Sequence, residues 1–467
     1  MVDLRGAKAV VLGFGRSGRA AARLLAVLGA RVVVSETRRA EDLPPGDYYA
    51  LQERGVRFET GGHRQETLLA ADLVVTSPGV PPEVWGQARR KGIPVWGELE
   101  LAFRALRKPV PILAVTGTNG KTTTTAMISD ILRLSGFKVF TGGNYGVPLS
   151  EYVLSGEPAE RLVLEVSSFQ LETVERFSPT VAAVLNLTPD HLERYSDLGE
   201  YARAKLRLLE NLSGEGLGLM PHPDLPGAGG DLLWREFHGS QRILFFGRAP
   251  GLAVEVRQGE FVLRPGEEEE TYSLSGFRLC GEHNRLNFAV AAFMARVCGA
   301  DPGAIRKALR SFVGFPHRLE YIGNFGGVYF VNDSKATNVD ATLRALESLP
   351  APIILLAGGQ HKGASYRPLF QAVRSRVRIL ILMGASRFLM AEELAGATET
   401  HLVENLPEAL ALALRLARPG DTVLLSPAAA SFDQFSSYEE RGEVFRDLVL
   451  SYAPRVLAPE ERPEVYH

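Results

Sequence analysis

The sequence predicts an α/β protein of three domains, each built on a mainly parallel β-sheet covered by helices. The 467 residues suggest about three domains at roughly 100–200 residues each. Short apolar segments rich in Val, Ile and Leu alternate with longer helical segments, a pattern typical of parallel sheets. Two of the strand-like segments also lead into glycine-rich turns that open helices.

Residues 1–99 are predicted to form the first domain. AKAVVL is typical of a buried strand, the turn GFGRSG follows at 13–18, and a helix leads to the strand ARVVVSE at 30–36. Further short strands are expected at 56–58 and 72–79. The turn and Glu36, about 20 residues further on, match a dinucleotide fingerprint and predict a Rossmann-like domain that binds a diphosphate. A nicotinamide site and an ordinary helix–sheet turn are the alternatives on this pattern alone.

Residues 100–313 are predicted to form a second domain that contains a phosphate loop. The strand PILAVT leads into GTNGKT at 117–122, which opens a helix, as a nucleotide-binding loop requires. The backbone N–H groups and the helix N-terminus would face an anion. Lys121 would supply a charge for the β- and γ-phosphates, and Thr122 a hydroxyl for Mg²⁺. Val115 stands where the motif usually has its first glycine, and the alternative is a tight turn that contains a lysine.

Two later strands of this domain end in polar residues. RLVLEVSS at 161–168 contains Glu165, and TVAAVLNLT is followed by Asp190 and His191. An acid at the carboxyl end of a parallel strand beside a phosphate loop is suited to bind Mg²⁺. The alternatives are a solvated strand end and a structural histidine. Lys205, on the next helix, is by default a surface cation.

The rest of the chain predicts a sheet edge and a third domain. In 220–275, ILFFGR, LAVEVRQ and EFVLRPG are typical of short antiparallel strands at a sheet edge, and a helix from Asn284 to about Val297 returns to the core. Residues 314–467 are predicted to form a second Rossmann-like domain. Its strands are expected at 327–333, 352–359, 378–384 and 421–427. Linkers between the domains are expected near 97–110 and 311–316.

Composition and charge exclude several classes of protein. The 52 basic and 54 acidic residues give a net charge of −2, which argues against binding to nucleic acid or to a membrane surface. Two cysteines are too few for a disulfide framework or a four-cysteine zinc site. No segment reaches the ~18 apolar residues of a membrane span, and the N-terminus lacks signal-peptide features, so we expect a cytoplasmic protein without membrane insertion. Only nine basic residues are lysines, which favours special roles for those present.

Taken together, the motifs resemble those of Mur ligases and run in the same order. They are GTNGKTTT, LEVSSFQLE, NLTPDHLERY followed by Lys205, GEHNRLN (281–287), FPHR (315–318), NDSKATN (332–338), AGGQHKG (357–363) and SPAAASFDQF (426–435). The resemblance covers essentially the whole chain. The phosphate loop and GEHNRLN are shared with folylpolyglutamate synthetase, whereas LEVSSFQLE and SPAAASFDQF are more particular to members that add D-glutamate. The sequence has no DNPR segment, which the relatives that add diaminopimelate or lysine carry.

The resemblance implies a monomeric enzyme of cytoplasmic peptidoglycan precursor synthesis. In such an enzyme ATP phosphorylates the terminal carboxylate of UDP-N-acetylmuramoyl-L-alanine, and the amine of D-glutamate attacks the acyl phosphate. ATP and two Mg²⁺ ions would be required, with Thr122 and Glu165 at one ion and His191 and Lys205 at the other. Lys205 would be carbamylated by CO₂. Residues with catalytic roles would be Lys121, Glu165, His191, Lys205 and Lys335.

The same resemblance implies three sets of binding residues. ATP would contact Gly117, Thr118, Asn119, Gly120, Lys121, Thr122, Thr123, Asn284, Asn287, Arg318 and Asp333. The UDP substrate would contact Arg16, Ser17, Glu36, Thr37, Arg38, Gly79, Asn144 and Ser167. D-Glutamate would contact Thr337, Lys362, Ser431, Phe432 and Tyr438. For Asn284 the alternative is a helix cap.

Other functions remain as alternatives. A nicotinamide-dependent dehydrogenase would explain GFGRSG but would leave the phosphate loop without a role. Another Mur ligase or an amide ligase like folylpolyglutamate synthetase would share the ATP-binding motifs, although the latter lacks the N-terminal βαβ domain. A non-catalytic binding module would leave the phosphate and metal residues unused.

Overall fold

The computed structural model describes residues 2–191, 194–277, 279 and 281–457 of the chain. It divides into two compact units, the first comprising Met1–Gly276 and Leu286–Ser311, the second Phe277–Arg285 and the chain from Phe312 onward. Two sheets lie in the first unit and one in the second, and this arrangement confirms the predicted α/β fold class. The predicted domain boundaries at 99 and 313 stay a prediction.

The first sheet has five parallel strands in the order β3-β2-β1-β4-β5. Its elements are β1 (Lys8–Leu12), α1 (Arg16–Val27), β2 (Arg31–Glu36), α2 (Pro45–Glu53), β3 (Arg57–Thr60), α3 (Gln65–Leu69), β4 (Leu73–Thr76), α4 (Pro82–Arg90), β5 (Val95–Gly97) and α5 (Glu98–Ala105). Val10 and Leu12 belong to one apolar cluster, whereas Ala9 and Val11 belong to another. The central strands β1 and β4 are mostly apolar because helices cover both faces of a parallel sheet, whereas the edge strand β3 is largely polar.

The second sheet has nine strands in the order β14-β13-β12-β11-β10-β9-β6-β8-β7. Its elements are β6 (Ile112–Thr116), α6 (Lys121–Leu134), β7 (Val139–Gly143), α7 (Leu149–Ser155), β8 (Arg161–Glu165), α8 (Ser168–Leu171), β9 (Val181–Val184), α9 (Leu198–Glu210), β10 (Leu217–Pro221), α10 (Gly230–Glu236), β11 (Arg242–Gly247), β12 (Val254–Arg257), β13 (Glu260–Leu263), β14 (Glu270–Ser273), α11 (Glu282–Val297) and α12 (Pro302–Ser311). Strand β6 pairs in parallel with both β8 and β9. The segments that follow these three strands therefore meet at one edge of the sheet.

The third sheet has six strands in the order β15-β16-β20-β17-β18-β19. Its elements are β15 (Glu320–Phe325), β16 (Val328–Asn332), α13 (Val339–Ser348), β17 (Ile353–Gly358), α14 (Phe370–Arg376), β18 (Val377–Met383), α15 (Arg387–Glu393), β19 (Glu399–Leu402), α16 (Leu406–Leu416), β20 (Thr422–Leu425) and α17 (Tyr438–Val456). Only the β15–β16 pair is antiparallel. Two separate apolar clusters cover the two faces of this sheet, one on each face, as expected for a doubly wound domain.

Two features differ from the sequence prediction. ILFFG forms β11, which pairs in parallel with β10 and β12, so only the β12-β13-β14 pairings at the edge are antiparallel. The segment 97–110, expected to be a linker, contains the packed helix α5. Its Glu100 is fully buried and accepts hydrogen bonds from three successive backbone N–H groups at 175–177, at 2.9–3.0 Å. The carboxylate therefore ties α5 to the second sheet's domain.

Candidate active site

The phosphate loop lies between β6 and α6, where the sequence predicts it. Gly117 and Gly120 have φ values of 153° and 85°, a region that favours glycine. A Cβ atom on Gly120 would also lie 2.6 Å from Nδ2 of Asn287. This spacing places Asn287, one of the predicted ATP residues, directly beside the loop.

Asn186, which sequence reasoning missed, holds the loop in place from the end of β9. Its Oδ1 accepts hydrogen bonds from the N–H groups of Thr118 (3.1 Å) and Asn119 (2.9 Å), and its Nδ2 donates to the Asn119 carbonyl (3.0 Å). The Thr118 hydroxyl donates to the carbonyl of Thr188 (3.2 Å). The segment that follows β9 therefore holds the phosphate loop in place. This contact cannot be predicted without knowing that β9 pairs with β6.

Two lysines meet at one carbonyl of the loop. Lys121 Nζ donates to the carbonyls of Gly117 (2.9 Å) and Thr118 (2.8 Å), and Lys205 Nζ donates to the Gly117 carbonyl (2.9 Å). Lys205 is 1% exposed and lies over the Tyr201 ring at 4.2 Å. It is therefore not the surface cation that its position on a helix suggests by default.

The surroundings of Lys205 disfavour its ammonium form. Burial and, to a lesser degree, the positive charge of Lys121 hold the pKa of Lys205 well below its usual value, while Asp190 opposes them. A lysine with a strongly lowered pKa exposes a neutral, nucleophilic amine instead of an ammonium. The site therefore contains one buried lysine whose ammonium form is disfavoured, next to a second lysine that contacts the phosphate loop.

Thr122, in the first turn of α6, and Glu165, the last residue of β8, bring a hydroxyl and a carboxylate together. The Thr122 hydroxyl donates to Glu165 Oε2 at 2.6 Å, and Nδ2 of Asn144 donates to Glu165 Oε1 at 2.7 Å. Both Thr122 and Glu165 are buried, as are Thr118 and Thr123. Ser167 caps α8 and forms a reciprocal capping box with Gln170.

His191 follows β9 in a backbone conformation that is unusual for a residue other than glycine. Its φ is 56°, its side chain is 37% exposed, and its Nε2 is 3.8 Å from Asp190 Oδ2. The ring lies against Phe169 and Tyr201, with centroids 4.7 and 6.2 Å away. A strained residue at a strand end is typical of functional sites.

The oxygen atoms of Thr122 and Glu165 suit a hard cation whose remaining ligands are oxygens from elsewhere. In the described part of the chain, no three His, Cys, Asp or Glu side chains are grouped so that they could hold a metal ion by themselves. Mg²⁺ prefers oxygen ligands and usually keeps waters or phosphate oxygens among them. The Thr122 hydroxyl and the Glu165 carboxylate fit such an ion.

The glycine-rich turn of the first sheet lies next to Asn144, the residue that donates to Glu165. Arg16, in the first turn of α1, donates from Nη2 to the Asn144 carbonyl at 3.0 Å. Ser17 is the next residue of α1, and Gly79 is exposed in the turn after β4. Glu36 lies at the end of β2, and its carboxylate accepts hydrogen bonds from Thr37 and Arg38. Six of the predicted UDP-substrate residues thus lie around the carboxyl ends of β1, β2 and β4, whereas Asn144 and Ser167 follow β7 and β8 of the second sheet.

In the second unit, Asp333 is buried at the end of β16. It accepts hydrogen bonds from the Leu319 N–H (3.1 Å) and the Ser426 hydroxyl (3.0 Å). Burial raises its pKa to about 7, against the effect of these bonds and of Arg318. The Arg318 guanidinium itself lies 5.9 Å from the centroid of the Phe315 ring.

The predicted D-glutamate residues also lie in the second unit. Lys362 Nζ donates to the Thr337 hydroxyl at 3.3 Å, and Lys335 Nζ lies 3.7 Å from the centroid of the Tyr438 ring. Ser431 is buried, whereas Phe432 is 68% exposed. Asn284 belongs to this unit although Asn287 belongs to the first.

Arg441 is a second residue that sequence reasoning missed. It is 1% exposed and donates to the Ser334 carbonyl (2.9 Å), the Ser334 hydroxyl (3.0 Å) and the carbonyls of Ala429 and Ala430 (3.3 Å). Burial lowers its pKa to about 10, so it stays charged at neutral pH. It ties the segment around Lys335 to the loop that contains Ser431.

Comparisons with known proteins identify the family. The model of the Mur ligase MurD-like N-terminal domain matches residues 7–97, that of the Mur ligase middle domain 115–295, and that of the Mur ligase glutamate ligase domain 317–429. UDP-N-acetylmuramoylalanine–D-glutamate ligase of Geotalea uraniireducens is 42% identical over 456 residues, which cover 96% of this chain and 98% of that protein. The corresponding ligase of Anaeromyxobacter dehalogenans is 44% identical over 468 residues, which cover 97% and 99%.

The chain belongs to the MurD family of Mur ligases. Membership confirms the predicted class of enzyme, an ATP-dependent ligase of peptidoglycan synthesis. Mur ligases use ATP and Mg²⁺. In the part of the chain that the structure describes, no helix has the length and apolar character needed to cross a membrane.

Solved structures share the MurD family's fold. A pseudomurein peptide ligase type C from Methanothermus fervidus is 19% identical and superposes with a TM-score of 0.58, covering 96% of this chain and 100% of that one. MurF ligase from Thermotoga maritima in complex with ADP is 17% identical, with a TM-score of 0.59 and coverages of 90% and 95%. At these identities the likeness establishes the fold alone.

Proposed function

We propose that this enzyme joins D-glutamate to UDP-N-acetylmuramoyl-L-alanine at the expense of ATP, through an acyl phosphate. The observation that carries the proposal is the convergence of Lys121, Lys205, Thr122 and Glu165 on one sheet edge, in a chain that matches D-glutamate ligases along almost its whole length. We further propose that it acts in the cytoplasm as a monomer on peptidoglycan precursors.

The first step brings a carboxylate against the γ-phosphate of ATP. Two anions at contact repel strongly where little water screens them. Lys121 begins α6 at the phosphate loop. When ATP binds, its ammonium group would exchange the hydrogen bonds to the loop carbonyls for contacts with the phosphate oxygens. The loop N–H groups and the helix N-terminus would add positive potential. Together these groups would favour transfer of the phosphoryl group to the substrate carboxylate.

Thr122 and Glu165 are the proposed ligands of one Mg²⁺ ion, and His191 and Lys205 those of a second. Bound Mg²⁺ supplies positive charge that stabilises the transferring phosphoryl group. Asn144 holds the Glu165 carboxylate by its second oxygen and would also orient the substrate near its reacting end, with Ser167 beside it.

Lys205 can act as a metal ligand only after it changes its charge. As a neutral amine its nitrogen can attack CO₂, forming an N–C bond and losing a proton, which leaves a carbamate anion. Its burial and its nearness to Lys121 both favour the neutral amine. The carbamate oxygens would then replace an ammonium that could not bind a cation.

The remaining residues are proposed to bind the three substrates. Asn284 and Asn287 would contact adenine, with Arg318 and Asp333 at the ribose and Lys335 at the γ-phosphate. Arg16, Ser17, Glu36, Thr37, Arg38 and Gly79 would hold the uridine diphosphate. Thr337, Lys362, Ser431, Phe432 and Tyr438 would hold D-glutamate, whose two carboxylates match a cation and hydroxyl groups.

The test is phosphate release measured with ATP, Mg²⁺, UDP-N-acetylmuramoyl-L-alanine and one amino acid at a time. D-Glutamate should support turnover, whereas L-glutamate, L-alanine, L-lysine and meso-diaminopimelate should not. Equal turnover with another of these amino acids would contradict the proposed specificity. Turnover with a folate and L-glutamate in place of both substrates would contradict the proposed function itself.

A further inference from the structure

Arg441, on α17, is held by two loops of the second unit and has no N–H group left for a ligand. Its Nε donates to the Ser334 hydroxyl (3.0 Å), and its Nη2 donates to the carbonyls of Ser334 (2.9 Å) and Ala429 (3.3 Å). Its Nη1 donates to the carbonyls of Ala429 and Ala430, both at 3.3 Å. A guanidinium has five N–H donors, and these five hydrogen bonds use them. Arg441 can therefore act on a substrate only through its neighbours or through its charge.

The positive charge of this guanidinium has no carboxylate partner. Its acceptors are carbonyl and hydroxyl oxygens, and in the part of the chain that the structure describes Arg441 forms no ion pair. The residue is 1% exposed, so little water screens its charge. Burial lowers the pKa of Arg441 to about 10, and the charge of Asp433 opposes this effect. Asp433 is itself exposed and accepts a hydrogen bond from the Ala385 N–H at 2.9 Å. The second unit thus contains a buried cation whose charge is offset only in part.

A third loop packs against the same guanidinium at a glycine. Gly359 follows β17 with a φ of 141°. A Cβ atom on it would lie 3.2 Å from Nη1 of Arg441 and 2.2 Å from the carbonyl oxygen of Ala430. The next residue, Gln360, exchanges two backbone hydrogen bonds with Ala430, at 2.9 and 3.0 Å. The absence of a side chain at 359 therefore lets this loop approach Arg441 closely.

The three loops around this cation carry residues that are proposed to bind D-glutamate. Each loop contributes one of them, and they are Thr337, Lys362 and Ser431. Lys362 Nζ donates to the Thr337 hydroxyl at 3.3 Å, which joins two of the loops. The Ser334 hydroxyl donates to the Tyr438 carbonyl at 2.9 Å, which attaches the start of α17 to the first loop. One buried guanidinium thus supports all the segments to which D-glutamate is assigned.

The charge of the proposed amino-acid substrate fits this cation. D-Glutamate has two carboxylates and one amine, so it is an anion when the amine is protonated and a dianion in the neutral-amine form that attacks the acyl phosphate. D-Glutamine has nearly the same shape but lacks the second carboxylate. A positive charge that water screens little therefore favours D-glutamate over D-glutamine.

We propose that Arg441 is a positioning residue that sets the preference of the amino-acid site for an acidic amino acid. It supports the three loops of the site and supplies a buried positive charge behind them. The proposal rests on the proposed function, which assigns D-glutamate to these loops. Lys362 is exposed, so water and salt screen its charge, and the buried charge of Arg441 should account for much of the preference.

The experiment uses phosphate release to measure the KM for D-glutamate and the inhibition constant of D-glutamine as its competitor. Arg441→Gln removes the charge and should lower the preference for D-glutamate over D-glutamine about tenfold, as expected for the loss of one charged interaction. Arg441→Lys keeps the charge and should stay within about threefold of the wild-type preference. Arg374→Gln, which removes an exposed arginine on α14, should match the wild type. A role in folding alone would weaken both amino acids equally and leave the preference unchanged.

The outcomes separate the role of Arg441 from the proposed function. If the wild-type protein does not turn over D-glutamate, the proposed function fails. If it does, and Arg441→Gln keeps the wild-type preference, only the role of Arg441 is refuted. If Arg441→Gln does not fold, as judged by circular dichroism, Arg441→Lys decides, since a preference near that of the wild type supports the proposal and a fall of about tenfold in a variant that keeps the charge overturns it. The KM for the UDP substrate should stay unchanged in these variants, and a rise parallel to that for D-glutamate would contradict a role in the amino-acid site.

Discussion

Replacement of Asn186 by alanine tests how the phosphate loop is held. The change removes the acceptor of the Asn119 N–H and the donor to the Asn119 carbonyl, whereas the Thr118 N–H keeps the Asn186 carbonyl at 3.1 Å. Two hydrogen bonds are thus lost, at about 1 kcal/mol each. We expect Asn186→Ala to lose about 2 kcal/mol of unfolding free energy. Because ATP binds to the ordered loop, the same loss should weaken ATP binding about thirtyfold, since each 1.4 kcal/mol is a factor of about ten.

The assay combines urea unfolding with the KM for ATP at saturating concentrations of the other substrates. Asn324→Ala is the matched control, because it removes an exposed asparagine on β15 and should leave both quantities unchanged. Wild-type values of both quantities in Asn186→Ala would refute the idea that β9 holds the loop. A lower stability at unchanged KM would limit Asn186 to a structural role.

Three further predictions concern charged groups of the first unit. Lys121→Ala should abolish turnover in a folded protein, whereas Lys138→Ala, at an exposed site, should not; turnover of Lys121→Ala would contradict the phosphate-loop assignment. Lys205→Ala should be inactive and partly rescued by formate or acetate, which can fill the carbamate position, while Lys205→Arg should be inactive and not rescued; normal turnover of Lys205→Ala would exclude the carbamate. Burial raises the pKa of Glu98 from 4.5 to about 6, so the folded state holds this proton more tightly and loses about 2 kcal/mol of stability as pH rises through that interval. Glu98→Gln stays neutral and should therefore gain about that much relative to wild type between about pH 4 and pH 8 in urea unfolding; a difference that does not vary with pH would refute the assignment.

Local patterns in the sequence predicted the elements that carry the chemistry. A strand, a glycine turn and a lysine at the start of a helix define a phosphate loop within a short segment, so the sequence suffices to find it. The sequence also predicts Glu165 and His191 at the same edge, because parallel strands end at one edge of a sheet. The scarcity of lysine also favours a special role for lysines such as Lys205, which the structure shows to be buried.

What the sequence did not predict depends on pairings between distant segments. Asn186 acts on the phosphate loop only because β9 lies next to β6, and Arg441 acts only where α17 packs beside two loops. The packing of helix α5, in the segment expected to be a linker, depends on distant partners: three backbone N–H groups at 175–177 and Arg104 satisfy the buried charge of Glu100. The orientation of β11 follows from its neighbour β10, which no local pattern encodes.

An isotope transfer tests the central claim most directly. UDP-N-acetylmuramoyl-L-alanine labelled with oxygen-18 in its terminal carboxylate is converted in the presence of ATP, Mg²⁺ and D-glutamate, and the released phosphate is examined by mass spectrometry. An acyl phosphate places one oxygen of the substrate carboxylate on the phosphorus, because attack by the amine of D-glutamate breaks the bond between that oxygen and the acyl carbon. We therefore predict one oxygen-18 atom in each inorganic phosphate released. Amide product accompanied by unlabelled phosphate would contradict the acyl-phosphate mechanism.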